Sequence, residues 1–196
     1  MRFQTLCVAM AAASLSSNCF CMINAVKGFY LGAEGAFIHY IQPPGSTVTT
    51  PTSTPMLRPV VGYRFNDYVA LDGGYNDVAN QSDGGNNVVG PNKFRLYTFD
   101  LAVKLIKPYP SGVSLFGKIG LGYSRQYVLN VPLVGNPPLA NYSNNRLQGL
   151  LGGGISYNIT KNLAAQLTGS YYFRSEQIGA MEMGAIGLVY TVDKWS

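Results

Sequence analysis

Three absences shape any reading of this chain of 196 residues. Charge is scarce: 14 Lys+Arg and 9 Asp+Glu amount to 12% of the residues, about half the ~25% of an ordinary soluble domain and too little to clothe a water-exposed surface. Long apolar runs are missing too. Beyond the N-terminal segment nothing approaches the ~20 consecutive apolar residues of a membrane helix. Cysteine is confined to Cys7, Cys19 and Cys21, so the rest of the chain has no thiol for a disulfide, a metal or a nucleophile. The net charge of +5 is spread over single, separated Lys and Arg residues, which excludes a nucleic-acid footprint. A chain too poor in charge for water and without helical spans is left with the closed β-barrel, the other fold that satisfies every backbone polar group in lipid.

The first 25 residues have the layout of a signal peptide: Arg2 as a minimal basic region, an apolar stretch from Leu6 to Leu15, then a small and polar stretch from Ser16 to Ala25. Cleavage is expected after Ala25, although a cut after Cys21 fits nearly as well. Residues 26–196 are then expected to form a single domain.

From Gly28 onward the dominant pattern is a two-residue alternation of large apolar residues with small or polar ones, which is the mark of strands with two chemically different faces. Eight such strands are predicted, over 28–40, 56–65, 68–75, 94–106, 113–127, 146–157, 163–173 and 181–192. In the first, Phe29, Leu31, Ala33 and Phe37 share one face while Tyr30, Gly32, Glu34 and Ala36 share the other. In the fourth, Tyr97, Phe99, Leu101, Val103 and Leu105 oppose Thr98, Asp100, Ala102 and Lys104. The connections alternate in length. Short ones fall at Asn66-Asp67, Lys107 to Gly112 and Asn158 to Asn162; long ones fall at Ile41 to Pro55, Asn76 to Lys93 and Val128 to Asn145, with Arg174 to Ala180 shorter. Aromatic residues gather near strand ends: Phe29, Tyr63, Phe65, Tyr157 and Tyr190 at one rim, and Tyr40, Tyr75, Phe94, Tyr97, Tyr123, Tyr171 and Phe173 at the other. An even strand count, short turns at one end, long loops at the other and two aromatic girdles together predict an all-β, eight-stranded antiparallel up-and-down transmembrane β-barrel of an outer membrane.

Four segments carry a resemblance to a known family. Gly28-Phe29-Tyr30-Leu31-Gly32-Ala33-Glu34-Gly35 and the run from Val61-Gly62-Tyr63-Arg64-Phe65 to Tyr75 resemble the opening of the OmpA-like, opacity-type outer-membrane barrels. Lys118 to Tyr123 and Gly152 to Thr160 resemble the later strands, so the likeness spans essentially the whole of 26–196. It implies a structural or surface-interaction role, such as adhesion or host contact, carried by long extracellular loops. It also implies the outer-membrane lipids, the barrel assembly machinery and host or cell-surface ligands as partners, with both strand termini on the periplasmic side.

The chemistry available is limited. Glu34, Arg64, Asp72, Asp100, Lys104 and Lys118 lie on the small-residue faces and are expected to point inward. Eight strands enclose an interior just wide enough for side chains, so three charges of each sign should pair across the lumen and close it. The alternative for this cluster is a small channel for ions or small apolar solutes. His39, the single histidine, would be the base of a lipid-modifying barrel enzyme if a serine and a carboxylate, for example Ser82 and Asp83, approached it; a base alone defines no site. The glycine runs around Gly117 to Gly122 and Gly149 to Gly154 lack the strand-then-helix setting of a phosphate loop. No metal-ligand spacing or cofactor motif is present, and no catalytic residue is assigned.

Overall fold

A computed structural model describes residues 26–41, 53–82, 92–130, 142–175 and 179–192. The expected signal peptide with its cleavage site, and parts of the expected long connections, lie outside the described residues. Eight strands follow one another in chain order: β1 (Gly28–Ile41), β2 (Ser53–Arg64), β3 (Val69–Ser82), β4 (Asn92–Pro108), β5 (Val113–Asn130), β6 (Tyr142–Asn158), β7 (Leu163–Tyr172) and β8 (Ala180–Thr191). Each pairs antiparallel with its sequence neighbour, and β1 pairs with β8 to close the barrel. Closure removes the free edges of the sheet except along the outer parts of β2 and β3, whose pairing ends at Val60↔Gly74.

The alternation read from the sequence becomes inside and outside. Along β1 every second residue from Tyr30 to Tyr40 turns into the lumen, while Phe29, Leu31, Phe37 and Ile41 are exposed. The same outward stripe runs through Leu57, Leu101, Leu105, Ile119, Leu121, Leu151, Ile186 and Leu188 around the barrel. So broad an exposed apolar band is unsustainable in water and is what a bilayer requires.

Three tight turns join the strands at one end. At 65–68 the Asn66 side chain accepts hydrogen bonds from the Tyr68 and Val69 amides, both at 2.8 Å, closing an Asx turn. At 159–162 Thr160 Oγ1 does the same for Asn162 and Leu163. In the turn before β5, Gly112 takes φ +77°, a conformation costly to any residue with a Cβ. Gly28 and Thr191 lie at this same end.

Toward the other end the strands outrun the alternation. β3 and β4 stay paired as far as Ser82↔Lys93, past a bulge between Val78 and Gln81, and β5 pairs with β6 as far as Val128↔Tyr142. The expected loops 76–93 and 128–145 are therefore in part strand. Polar and charged residues such as Asp77, Arg95, Arg125, Ser143 and Asn145 interrupt the greasy face there and erase the periodic signal while the ladder continues. The β2–β3 register, by contrast, runs only from Arg64↔Ala70 to Val60↔Gly74. It stops beside Pro59, which has no amide to donate.

Candidate functional site: the charged interior and the outer rim

The lumen is layered. Nearest the short turns lie Tyr30, Val60, Ala70, Ile106, Phe116 and Val189. At the far end Ile38, Tyr40, Leu96, Leu150, Tyr172, Met181 and Met183 belong to a second apolar cluster. The sequence had suggested a polar interior; the structure confines the charges to the layer between these two.

Six charged side chains are fully buried in that layer: Glu34, Arg58, Asp72, Asp100, Lys104 and Lys118. Arg58 is its centre. Nη1 donates to Glu34 Oε2 at 2.6 Å and Nη2 to Asp100 Oδ1 at 2.7 Å, so one guanidinium joins carboxylates of β1 and β4. The planar fork of arginine makes this double reach geometrically easy. Asp100 also accepts from the Tyr172 hydroxyl at 2.8 Å and from Asn76 Nδ2 at 3.2 Å, and Thr168 Oγ1 donates to Glu34 at 3.4 Å. A second set lies closer to the short turns, where Asp72 accepts from Lys118 Nζ at 3.0 Å and from the Tyr30 hydroxyl at 2.7 Å. Lys104 has no carboxylate within ion-pair distance among the described residues; its Nζ donates to Gln166 Oε1 and sits 4.0 Å from the Phe116 ring centroid. These contacts tie β1, β2, β3, β4, β5 and β7 together across the lumen.

Two glycines make room for the network. A Cβ on Gly74 would collide with the Arg58 guanidinium, and one on Gly62 would strike the Tyr30 ring and hydroxyl. Large polar side chains thus lie flat against the barrel wall where a neighbouring strand has no side chain.

Of the six residues singled out from the sequence, Glu34, Asp72, Asp100, Lys104 and Lys118 occupy the buried layer. Arg64 does not join them. It is the last residue of β2, half-buried at the short-turn rim, where it donates to the carbonyls of Asn66 and Asp67. Arg58 stands in the place expected of it. The two share a face of β2, but β2 begins at Ser53 rather than at Met56, which brings Arg58 to mid-strand opposite Glu34.

The outward aromatics divide between the two rims. Phe29, Tyr63 and Phe65 touch edge to face at the short-turn end, with centroids 4.8 and 5.0 Å apart. Tyr75 with Phe99, and Tyr171 with Phe173, pair at the other, at 4.6 and 5.3 Å. Tyr40, expected in that girdle, faces the lumen instead, where its hydroxyl accepts a hydrogen bond from the Gly179 amide at 2.9 Å. The alternation of β1 dictates this, since Tyr40 shares parity with Glu34. The side chain of Phe94 lies outside the described residues.

His39 is exposed on the outer face of β1, with Nδ1 3.2 Å from Ser53 Oγ. Its partner is thus Ser53, whereas Asp83 and the Ser82 side chain lie outside the described residues. Glu182 is its register neighbour on β8. Among the described residues no carboxylate comes within ion-pair distance of the imidazole. A histidine and a hydroxyl on an exposed face are two parts of a hydrolytic site, without the group that orients the base.

A closed eight-stranded barrel, with an apolar exterior between two aromatic girdles and its mid-barrel charges turned inward, is an outer-membrane β-barrel. Residues 29–192 match the family model of the OmpA-like transmembrane domain, and the chain belongs to that family. Similar solved structures include Neisserial surface protein A, with a TM-score of 0.62 at 17% identity, covering 84% of this chain and 97% of that one. The outer membrane protein OprG of Pseudomonas aeruginosa gives 0.60 at 12% identity, over 88% of this chain and 100% of its own. Ail, the attachment invasion locus protein of Yersinia pestis, gives 0.56 at 14%, over 85% and 100%. No curated protein matches the chain by sequence.

Proposed function

We propose that this protein is a non-enzymatic, solute-tight barrel that serves as a rigid platform for surface contact, such as adhesion to a host or neighbouring cell. The contacts would be made by the connections between β1 and β2, β3 and β4, β5 and β6, and β7 and β8. The observation that carries the first half is the buried layer in which Arg58 joins Glu34 and Asp100 between two apolar layers. An interior filled by these charges and the side chains packed around them leaves no free path for an ion or a solute. With the lumen occupied, what is left to act outward is the end with the long connections, where loops on a rigid scaffold usually carry recognition.

The orientation follows the family pattern, with short turns in the periplasm and long connections outside. In support of surface binding, one structural relative, Ail, has been crystallised with the heparin analogue sucrose octasulfate. Protease added to intact cells should cut within 42–52, 83–91 or 131–141 and spare 65–68, 109–112 and 159–162. Cleavage at the short turns from outside would invert the orientation. Binding to host cells and matrix proteins is then compared between wild type and a variant shortened within 83–91. Equal binding by a folded, shortened variant would remove that connection from the contact surface.

A further inference from the structure

Above the girdle at the long-connection end, β4 and β5 carry a feature that the sealed interior does not explain. Tyr97 pairs in register with Arg125, and Arg95 with Tyr127, so two arginines and two tyrosines alternate on the outer face of adjacent strands. Each guanidinium lies over the tyrosine two residues along its own strand, Arg95 at 4.4 Å from the Tyr97 centroid and Arg125 at 4.5 Å from that of Tyr127. The two rings meet edge to face at 6.0 Å. Asp77 holds Arg95 from the β3 side, with Nη2 to Oδ2 at 3.0 Å and Nε to Oδ1 at 3.4 Å. Among the described residues Arg125 has no carboxylate within ion-pair distance. Two cations and one anion leave a local excess of one positive charge.

Depth defines what this square meets. Phe99 and its neighbours Tyr75 and Tyr123 belong to the girdle, and Tyr97 and Arg95 follow Phe99 outward on the same face. At ~3.3 Å per residue along a tilted strand, this places the guanidinium groups about 5–10 Å beyond the girdle, in the layer of lipid headgroups. Stacking on tyrosine restricts both side chains while leaving N–H edges available, and a guanidinium fork matches phosphate oxygens.

We propose that Arg95 and Arg125 form a binding site for the phosphate of an outer-leaflet lipid, with Tyr97 and Tyr127 as positioning residues and Asp77 as a competitor that limits affinity. This rests on the orientation proposed above only in assigning the leaflet; binding in detergent is independent of it, and the protease experiment reads sidedness separately. The test is native mass spectrometry of the full barrel in detergent, titrated with bis-phosphorylated lipid A, with the same lipid after removal of its phosphates, and with inorganic phosphate. Wild type should retain the phosphorylated lipid. Arg125→Gln should weaken retention about tenfold, as expected for loss of one charge-assisted contact, and Arg95→Gln/Arg125→Gln should abolish it. Asp77→Asn should strengthen it, an effect that a purely structural role for the square would not produce. Folding of each variant is checked by its mobility on unheated gels. Equal retention of the dephosphorylated lipid, equal binding by the double variant, or binding of inorganic phosphate as tightly as the lipid would each overturn the proposal.

Discussion

Arg58→Met is the sharpest perturbation of the interior, because one side chain is removed and two carboxylates lose their charged partner. Breaking a buried ion pair from one side typically costs ~3–5 kcal/mol, as the remaining charge is stranded. Here the loss should be divided unequally. Among the described residues, Asp100 keeps the Tyr172 hydroxyl at 2.8 Å and Asn76 at 3.2 Å, while Glu34 keeps Thr168 Oγ1 alone, at 3.4 Å. Glu34 is 2% exposed and cannot turn to water. We therefore expect a loss near the upper end, about 4–5 kcal/mol, with Glu34 as its main source.

Urea unfolding of the barrel in phospholipid vesicles, followed by mobility on unheated gels, measures this directly. Adding Glu34→Gln to Arg58→Met should restore more stability than adding Asp100→Asn, and both together should restore most of it. Arg58→Lys should fall between wild type and Arg58→Met, since an ammonium keeps the charge but lacks the two separate nitrogens that reach Glu34 and Asp100 at once. A stability for Arg58→Met within ~1 kcal/mol of wild type, the scale of an exposed pair, would refute the reasoning. So would a neutralised triple variant less stable than Arg58→Met alone.

Lys118→Met should cost about 3 kcal/mol by stranding Asp72, whereas Lys104→Met, which abandons an amide and an aromatic ring but no carboxylate, should cost about 1 kcal/mol; reversed costs in the same unfolding assay would show that the charges are paired differently. Gly74→Ala should cost about 1–3 kcal/mol by overpacking against Arg58. That cost should shrink in an Arg58→Met background, and a double-mutant cycle that adds cleanly would show that the clash lies elsewhere. Purified wild type in a planar bilayer should show no steady conductance, and a large stable conductance would mean that the packed lumen is passable.

Most of the fold was legible in the sequence, because a barrel wall in lipid needs strict alternation and this chain keeps it in the parts of its strands that cross the hydrocarbon. The order of strands, the tight turns at Asn66-Asp67 and Asn158 to Asn162, and the face to which Glu34, Asp72, Asp100, Lys104 and Lys118 belong all follow from parity. Parity, however, gives a face and not a height. Arg58 and Arg64 share a face, and only the start of β2 at Ser53 and the pairing Glu34↔Arg58 decide which reaches the middle of the lumen. The strand extensions were hidden for a related reason. Once β3 to β6 leave the hydrocarbon, lipid no longer imposes an apolar outer face, and residues such as Asn144 and Asn145 read as loop while their backbones remain paired. The Arg–Tyr square escaped because bringing Arg95–Tyr97 beside Arg125–Tyr127 depends on cross-strand register, which composition does not report.

The buried charges also bear on why a wall of alternating residues folds in one register. In lipid the usual preference for burying apolar side chains is nearly lost, since Leu31 facing a fatty chain is about as well placed as Leu31 facing Met183. A charge has no such indifference. Slipping a strand by one residue turns its inward side chains outward, and an arginine or lysine at the bilayer midplane costs ~2–4 kcal/mol there. A slip in β2 would carry Arg58 into lipid, and slips in β4 or β5 would carry Lys104 or Lys118. The slips in β2 and β5 would also place Leu57 and Ile119 where the partners of Glu34 and Asp72 should be. Few apolar contacts could impose that penalty. The ionic layer thus fixes register from within, and the connections at the far end are free to vary without weakening what holds the strands in place.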